Sequence, residues 1–243
     1  MIILSVGMPR AGSGWYYNLT HDIVTVTGGQ DARQIRRRFH LQRVLTEVNC
    51  NIGALTPWRL LAVSIPSWMG NTFVIKTHSG STPLVRRFIQ NGFLKPSYIY
   101  RDPRDAMVSA LENGERARQL GRTNAFSQLT GFDTALDFMT GYARIWDEWI
   151  DSPQILPVRY EDLLTDFDRE VDRLLNFLGV ERDAPKVFAA TERYRPQSAR
   201  SDQKGLHFHK GQAGRFRQKF SIDQQEILAE RFGPYLERMG YEV

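Results

Sequence analysis

An apolar, β-branched run from Ile2 to Val6 empties into Gly7-Met8-Pro9-Arg10-Ala11-Gly12-Ser13-Gly14, and a helix-compatible stretch follows from Trp15. No other segment constrains the fold as much. The run is short, so it reads as a buried strand, and glycine, proline and serine mark the turn behind it. A strand–glycine loop–helix unit aims several backbone N–H groups and the positive end of a helix dipole at one point, which suits a phosphate or a similar anion. Gly7 and Gly12 are spaced as in G-x-x-x-x-G-K-[ST], yet Ser13-Gly14 stands where Lys-Ser/Thr belongs. The lysine that reaches the phosphates and the hydroxyl that holds Mg²⁺ are both missing there. The loop's cation is Arg10, placed before the second glycine.

Further strand-like runs, Thr72–Lys76, Ser97–Tyr100 and Gln154–Arg159, alternate with helical patterns. Thr82-Pro83 and Asp102-Pro103 each read as an N-cap followed by proline at the first helical position. Apolar residues recur at helical spacing from Phe132 to Ile150, a stripe that reads as core, and Ser221 with Gln224 forms a capping box. A helical pattern is also expected from Asp31 to Val48, with Arg36-Arg37-Arg38 on its solvated face. This alternation predicts one α/β domain over residues 1–243: three layers, a central, largely parallel sheet flanked by helices, and a P-loop-like phosphate-binding loop after the first strand. Arg195 to Gly214 has no periodicity and is expected to be a long functional loop. Cys50 is the only cysteine, which excludes an internal disulfide and any thiolate cluster. No stretch approaches a membrane span and no secretory leader is evident, so a soluble, cytoplasmic chain is expected. The net charge of +5 favours anionic ligands only weakly.

In such sheets ligands gather at the carboxyl ends of strands. The second exit carries Lys76-Thr77-His78, a cation and an imidazole two residues apart, so both face one side of an extended chain. The third carries Arg101, the Asp102-Pro103 helix start and Ser109, a charged fork suited to a phosphate. Tyr160 stands at the fourth, where its ring stacks on a base or simply packs. The polar loop holds His207-Phe208-His209-Lys210-Gly211, which describes an anion clamp. Its two histidines lack a convincing third ligand for a metal.

Taken in order, these segments resemble the sulfotransferase family that uses 3′-phosphoadenosine 5′-phosphosulfate (PAPS). Pro9 to Trp15 resembles P-K/R-S-G-T-T-W, Lys76-Thr77-His78 resembles K-T-H, and Arg101 through Ser109 resembles R-[ND]-P-[KR]-D-x-x-x-S. Tyr160-Glu161-Asp162-Leu163 with Phe177-Leu178-Gly179 resembles Y-E-D-L followed by F-L-G. His209-Lys210-Gly211 through Phe220 resembles the C-terminal R-K-G-x-x-G-x-[WF] clamp.

The resemblance implies transfer of a sulfuryl group from PAPS to a hydroxyl of a small molecule, lipid or sugar, without a metal and with 3′,5′-ADP as product. It implies that Arg10 and the backbone of Ala11, Gly12, Ser13 and Gly14 hold the 5′ end. Arg101, Ser109, His209, Lys210 and Gly211 take the 3′-phosphate, and Trp15 and Tyr160 contact the adenine. His78 becomes the general base, with Lys76 and Arg10 stabilising charge. Arg10, Gly14 and His209 depart from the family's lysine, hydroxyl residue and arginine. Arg217 to Glu226 resembles a short dimer contact, which permits a homodimer. Two rivals are a P-loop kinase or NTPase acting on a nucleotide or small metabolite, and a non-catalytic nucleotide- or nucleic-acid-binding module. Trp68, Phe126, Phe132 and Phe138 are candidates for an apolar acceptor pocket or for core.

Overall fold

The computed structural model describes residues 1–196 and 213–243. Strand β1 (Ile2–Gly7) leads into α1 (Ser13–Val26), α2 (Ala32–Arg38), a 3-10 turn (Leu41–Arg43) and α3 (Pro57–Trp68). Strand β2 (Phe73–Thr77), α4 (Pro83–Gln90), β3 (Leu94–Tyr100), α5 (Pro103–Gln119) and α6 (Phe132–Ile150) follow. The chain continues through β4 (Leu156–Arg159), α7 (Tyr160–Thr165), α8 (Phe167–Leu178) and α9 (Pro185–Glu192), and closes with α10 (Phe216–Lys219) and α11 (Ile222–Met239).

The four strands form one parallel sheet in the order β2-β1-β3-β4. Every residue of β1 and β2 is buried, as expected of a parallel sheet covered on both faces. One apolar cluster joins β1 and β2 to α3, α4, α6 and α11, and a second joins α1 to Ile99, Val158 and helices α7 to α9. The register pairs Val6 with Thr77 and Tyr98, and Tyr100 with Arg159. All four carboxyl ends therefore open on the same side of the sheet.

Local signals hold well. Thr82 accepts from the Val85 amide, Asp102 from the Arg104 amide, and Ser221 with Gln224 forms the reciprocal capping box. The bounds of three strands and one helix differ from expectation. β2 is shifted one residue, to Phe73–Thr77, and β4 begins only at Leu156. β3 starts before Pro96, because β4 joins it only from Ser97 onward and Pro96 stands outside that ladder. The helix expected from Asp31 to Val48 stops at Arg38, where His40 turns left-handed at φ 54°. That turn lets Leu41, Val44 and Leu45 reach the core. Arg36 then donates to the Leu45 carbonyl at 2.8 Å, a tether within a face expected to be wholly solvated.

Candidate active site

The loop after β1 is fixed by close packing. A Cβ on Gly7 would lie 2.8 Å from the Ser13 Cβ, and one on Gly12 would lie 2.7 Å from two carbons of the Tyr160 ring. Gly12 also sits at φ 73°, a conformation natural to glycine. The Ala11 amide donates to the Met8 carbonyl at 3.3 Å, which closes the turn. The Tyr16 amide bonds to the Gly12 carbonyl at 3.0 Å, which leaves the Ser13 and Gly14 amides in the open first turn of α1. Arg10, at φ 65°, takes a left-handed conformation unusual for a side-chain-bearing residue. Its Nε donates to Ser109 Oγ at 3.1 Å, and its guanidinium lies 5.5 Å from the Phe126 ring centre.

The expected 5′ and 3′ anion clusters are thus contiguous through Arg10 and Ser109. Burial, and then the charge of Arg101, lower the Arg10 pKa. Lys76 is 5% exposed, and burial together with Arg10 brings its pKa down to about 8. Cations that depress one another in a desolvated cleft favour an anion between them.

His78 follows β2, and its Nδ1 is hydrogen-bonded to the Gly7 carbonyl oxygen. A carbonyl only accepts, so Nδ1 carries the proton and Nε2 is the bare nitrogen. Burial, then the Lys76 charge, push the pKa down to about 4, against a smaller opposing effect of the Gly7 carbonyl. A neutral imidazole with a fixed tautomer is the result. The neighbouring turn is secured where Thr77 Oγ1 donates to the Gly53 carbonyl at 2.8 Å and Trp149 Nε1 donates to the Ser79 carbonyl at 3.0 Å.

At the third exit, buried Arg101 meets Asp105 at 3.3 Å and Glu161 at 3.7 Å, and its guanidinium lies 4.8 Å from the Tyr160 ring centre. Asp105 has partners beyond Arg101. Its carboxylate also accepts from the Gly214 amide at 2.7 Å and the Phe216 amide at 3.0 Å. The described chain resumes beyond residue 212 directly on this carboxylate, four residues from Ser109. His209, Lys210 and Gly211 lie outside the described residues.

Tyr160 is buried against Gly12, Arg101 and Trp15, with the two aromatic rings edge to face at 6.2 Å. Trp15 is 2% exposed, stacks on Phe167 at 6.3 Å and donates its Nε1 hydrogen to the Tyr194 carbonyl. The indole therefore lies beside Tyr160, the other ring expected to contact adenine. Phe126, Phe138 and Tyr142 form a row beside Arg10, with ring centres 5.8 and 5.0 Å apart. Phe132 packs instead on Phe220, and Trp68 stands on the outer face of α3.

Sequence reasoning missed Asp105 as an anchor, Glu161 as the second partner of Arg101, and the Gly7 carbonyl as the group that sets the His78 tautomer. In the sequence Asp105 and Glu161 appear only inside the motifs that begin at Arg101 and Tyr160. Among the described residues, no three His, Cys, Asp or Glu side chains gather as a metal site. None of the described helices is long and apolar enough to cross a membrane.

A family model of the sulfotransferase domain matches residues 2–240. The chain is similar to sulfotransferase 6B1 of Danio rerio, with 22% identity over 267 residues covering 99% of this chain and 82% of the relative. It is also similar to sulfotransferase 4A1 of Homo sapiens, 24% identical over 144 residues, covering 57% of this chain and 50% of that protein. Retinol dehydratase, solved with androsterone and the inactive cofactor PAP, superposes with a TM-score of 0.62 at 18% identity, covering 100% of this chain and 82% of that one. Mouse sulfotransferase SULT7A1, solved with PAP, gives 0.59 at 16% identity, covering 97% and 84%. At these identities the two structures speak for the shared fold.

Proposed function

Because the chain belongs to the sulfotransferase domain family and is a PAPS-dependent sulfotransferase, we propose that the cleft at the carboxyl ends of β1, β2 and β3 is its active site, with His78 as general base. The observation that carries this reading is the His78 imidazole, held through Nδ1 on Gly7 beside Lys76 and Arg10. PAPS supplies the sulfuryl group and leaves as 3′,5′-ADP. The residues present suit it, since a cleft holding Lys76, Arg10, Arg101 and the first-turn amides Ser13 and Gly14 favours separated anionic groups.

Each residue then has a distinct part. Arg101 and Ser109 hold the 3′-phosphate, and the segment with His209, Lys210 and Gly211 completes that clamp. Ser13 and Gly14 turn their amides to the 5′ end, while Arg10 and Lys76 neutralise charge that grows during transfer. His78 Nε2 accepts the hydroxyl proton of the acceptor, with the imidazole already in the required tautomer. Tyr160, packed against Gly12 and Arg101, and Trp15 beside it contact the adenine.

The acceptor we infer is a small molecule with an apolar body and one hydroxyl, laid against Phe126, Phe138 and Tyr142. The single, buried Cys50 fits a reducing, cytoplasmic setting. A homodimer through Arg217 to Glu226 would use Ile222, which is 73% exposed, since Phe220 is buried against Phe132. Light scattering is expected to give a dimer mass that Ile222→Asp halves, and a monomer mass for the unmodified chain would refute that contact.

The test of the activity separates donor from nucleotide triphosphate. Saturating 3′,5′-ADP is expected to stabilise the chain by about 3 kcal/mol at a hundredfold excess over its dissociation constant, seen as a higher melting temperature. Mg-ATP is expected to leave the melting temperature unchanged. Labelled sulfate should then pass from PAPS to a phenol or sterol. Stabilisation by Mg-ATP alone would favour a kinase, and donor binding without transfer to any hydroxyl would favour a binding module.

A further inference from the structure

Helix α3 is apolar on two opposite faces. Leu60, Val63 and Pro66 are buried towards the core, as in any amphipathic surface helix. The outer face should then be polar, yet its exposed side chains are Trp58, Leu61, Ile65 and Trp68, continued by Met69 after the helix ends. The spacing of three, four and three residues places them in one stripe along the helix. A tryptophan stands at each end, 54% and 56% exposed. Contiguous apolar surface of this kind marks an interaction site, whereas single exposed apolar residues do not.

Charge says what covers it. From Ala32 to Tyr100, the stretch that builds α2, α3, β2 and α4, the sequence has ten lysines and arginines and one acidic residue, Glu47. The whole chain nets only +5, so the remainder is net acidic and the positive charge is concentrated here. β2 is an edge strand and α2 packs against it. Lys76 is buried and Lys95 lies over Phe177 of α8, so the cations that bear on α3 are those of α2, the 3-10 turn and α3 itself. Arg37, Arg38 and Arg43 are exposed. Arg43 shares a surface cleft with Arg59 of α3, whose guanidinium lies 5.3 Å from the Trp58 ring centre.

We propose that this side of the molecule docks on an anionic lipid bilayer, with the α3 stripe seated among headgroups and acyl chains and the arginines facing acidic lipid. Tryptophan is favoured at the boundary between headgroups and hydrocarbon, and an apolar helix face flanked by basic residues is the usual form of such attachment. A second copy of the chain fits less well, because a twofold contact through the stripe would bring the Arg43 and Arg59 of one copy towards those of the other, with Glu47 the one acidic residue of this stretch. Attachment is independent of the proposed chemistry, and its test needs neither donor nor acceptor.

The full chain is expected to sediment with vesicles of phosphatidylcholine and phosphatidylserine, weakly with phosphatidylcholine alone, and less as salt is raised. Trp15, Trp146 and Trp149 are buried, so a blue shift of tryptophan emission on the vesicles would report Trp58 and Trp68. The double variant Trp58→Ser/Trp68→Ser should lose on the order of tenfold or more in partitioning, with an unchanged melting temperature because both side chains are exposed. Arg43→Gln, a purely electrostatic variant, should weaken binding to the anionic vesicles alone. The proposal is overturned by no sedimentation with anionic vesicles, or by full binding of the double variant. It is equally overturned by a dimer in solution that the double variant converts to monomer.

Discussion

His78→Ala is expected to lower turnover by about 10²–10⁴-fold, the usual contribution of a general base, while 3′,5′-ADP still raises the melting temperature as it does in the unmodified chain. The side chain faces the Gly7 carbonyl and the cleft, so its loss removes the proton acceptor and leaves Arg10, Arg101 and Ser109 in place. The pH profile of kcat/KM carries the same assignment, because it reports the free enzyme. The base must be neutral, and with a pKa near 4 it stays neutral down to mildly acidic solution, so the acid limb falls close to pH 4. Lys76 must be charged, and its pKa near 8 makes activity decline as pH rises through that value. Lys76→Arg should remove the alkaline limb, since arginine keeps its charge. Near-normal turnover in His78→Ala, or an acid limb at the ordinary histidine value, would remove His78 from the mechanism.

Asp105→Ala should be the most destabilising single change at the site, by about 3 kcal/mol, the lower end for breaking a buried ion pair. One carboxylate there serves the Arg101 guanidinium and the amides of Gly214 and Phe216. Its removal leaves two amides without their acceptor and leaves Arg101 with Glu161 as its remaining carboxylate partner among the contacts described. Urea unfolding measures the loss, and 3′,5′-ADP affinity should fall with it because Arg101 and the chain leading to Gly214 lose their common anchor. Asp105→Asn retains one carbonyl oxygen and should fall between the two. A loss below about 1 kcal/mol, the size of one ordinary hydrogen bond, would show that the carboxylate is not the anchor described.

What was legible in the sequence was local. The caps at Thr82, Asp102 and Ser221 depend on a side chain and an amide two or three residues away, and helix α6 spans Phe132–Ile150 as its periodicity indicates. That Arg10, Lys76 and His78 stand at neighbouring strand exits was legible as well, because the exits of a parallel sheet fall on one side. The unread part depends on distance or on backbone conformation. Nothing near His40 announces a left-handed residue that ends a helical pattern. Asp105 meets Gly214 across more than a hundred residues, and only the folded chain shows it. The partners of Trp15, the Phe167 ring and the Tyr194 carbonyl, likewise come from distant parts of the chain.

The peptide unit between Gly7 and Met8 is gripped at both poles: its oxygen accepts from His78, and its N–H donates to the Ile99 carbonyl at 2.9 Å. A proton arriving on Nε2 makes Nδ1–H a stronger donor and polarises that peptide, which in turn tightens its hold on β3. In the proposed mechanism this oriented peptide dipole would offset part of the charge of a transient imidazolium, against the larger effects of burial and Lys76. A base this weak would also give its proton up readily near neutrality once the transfer is over.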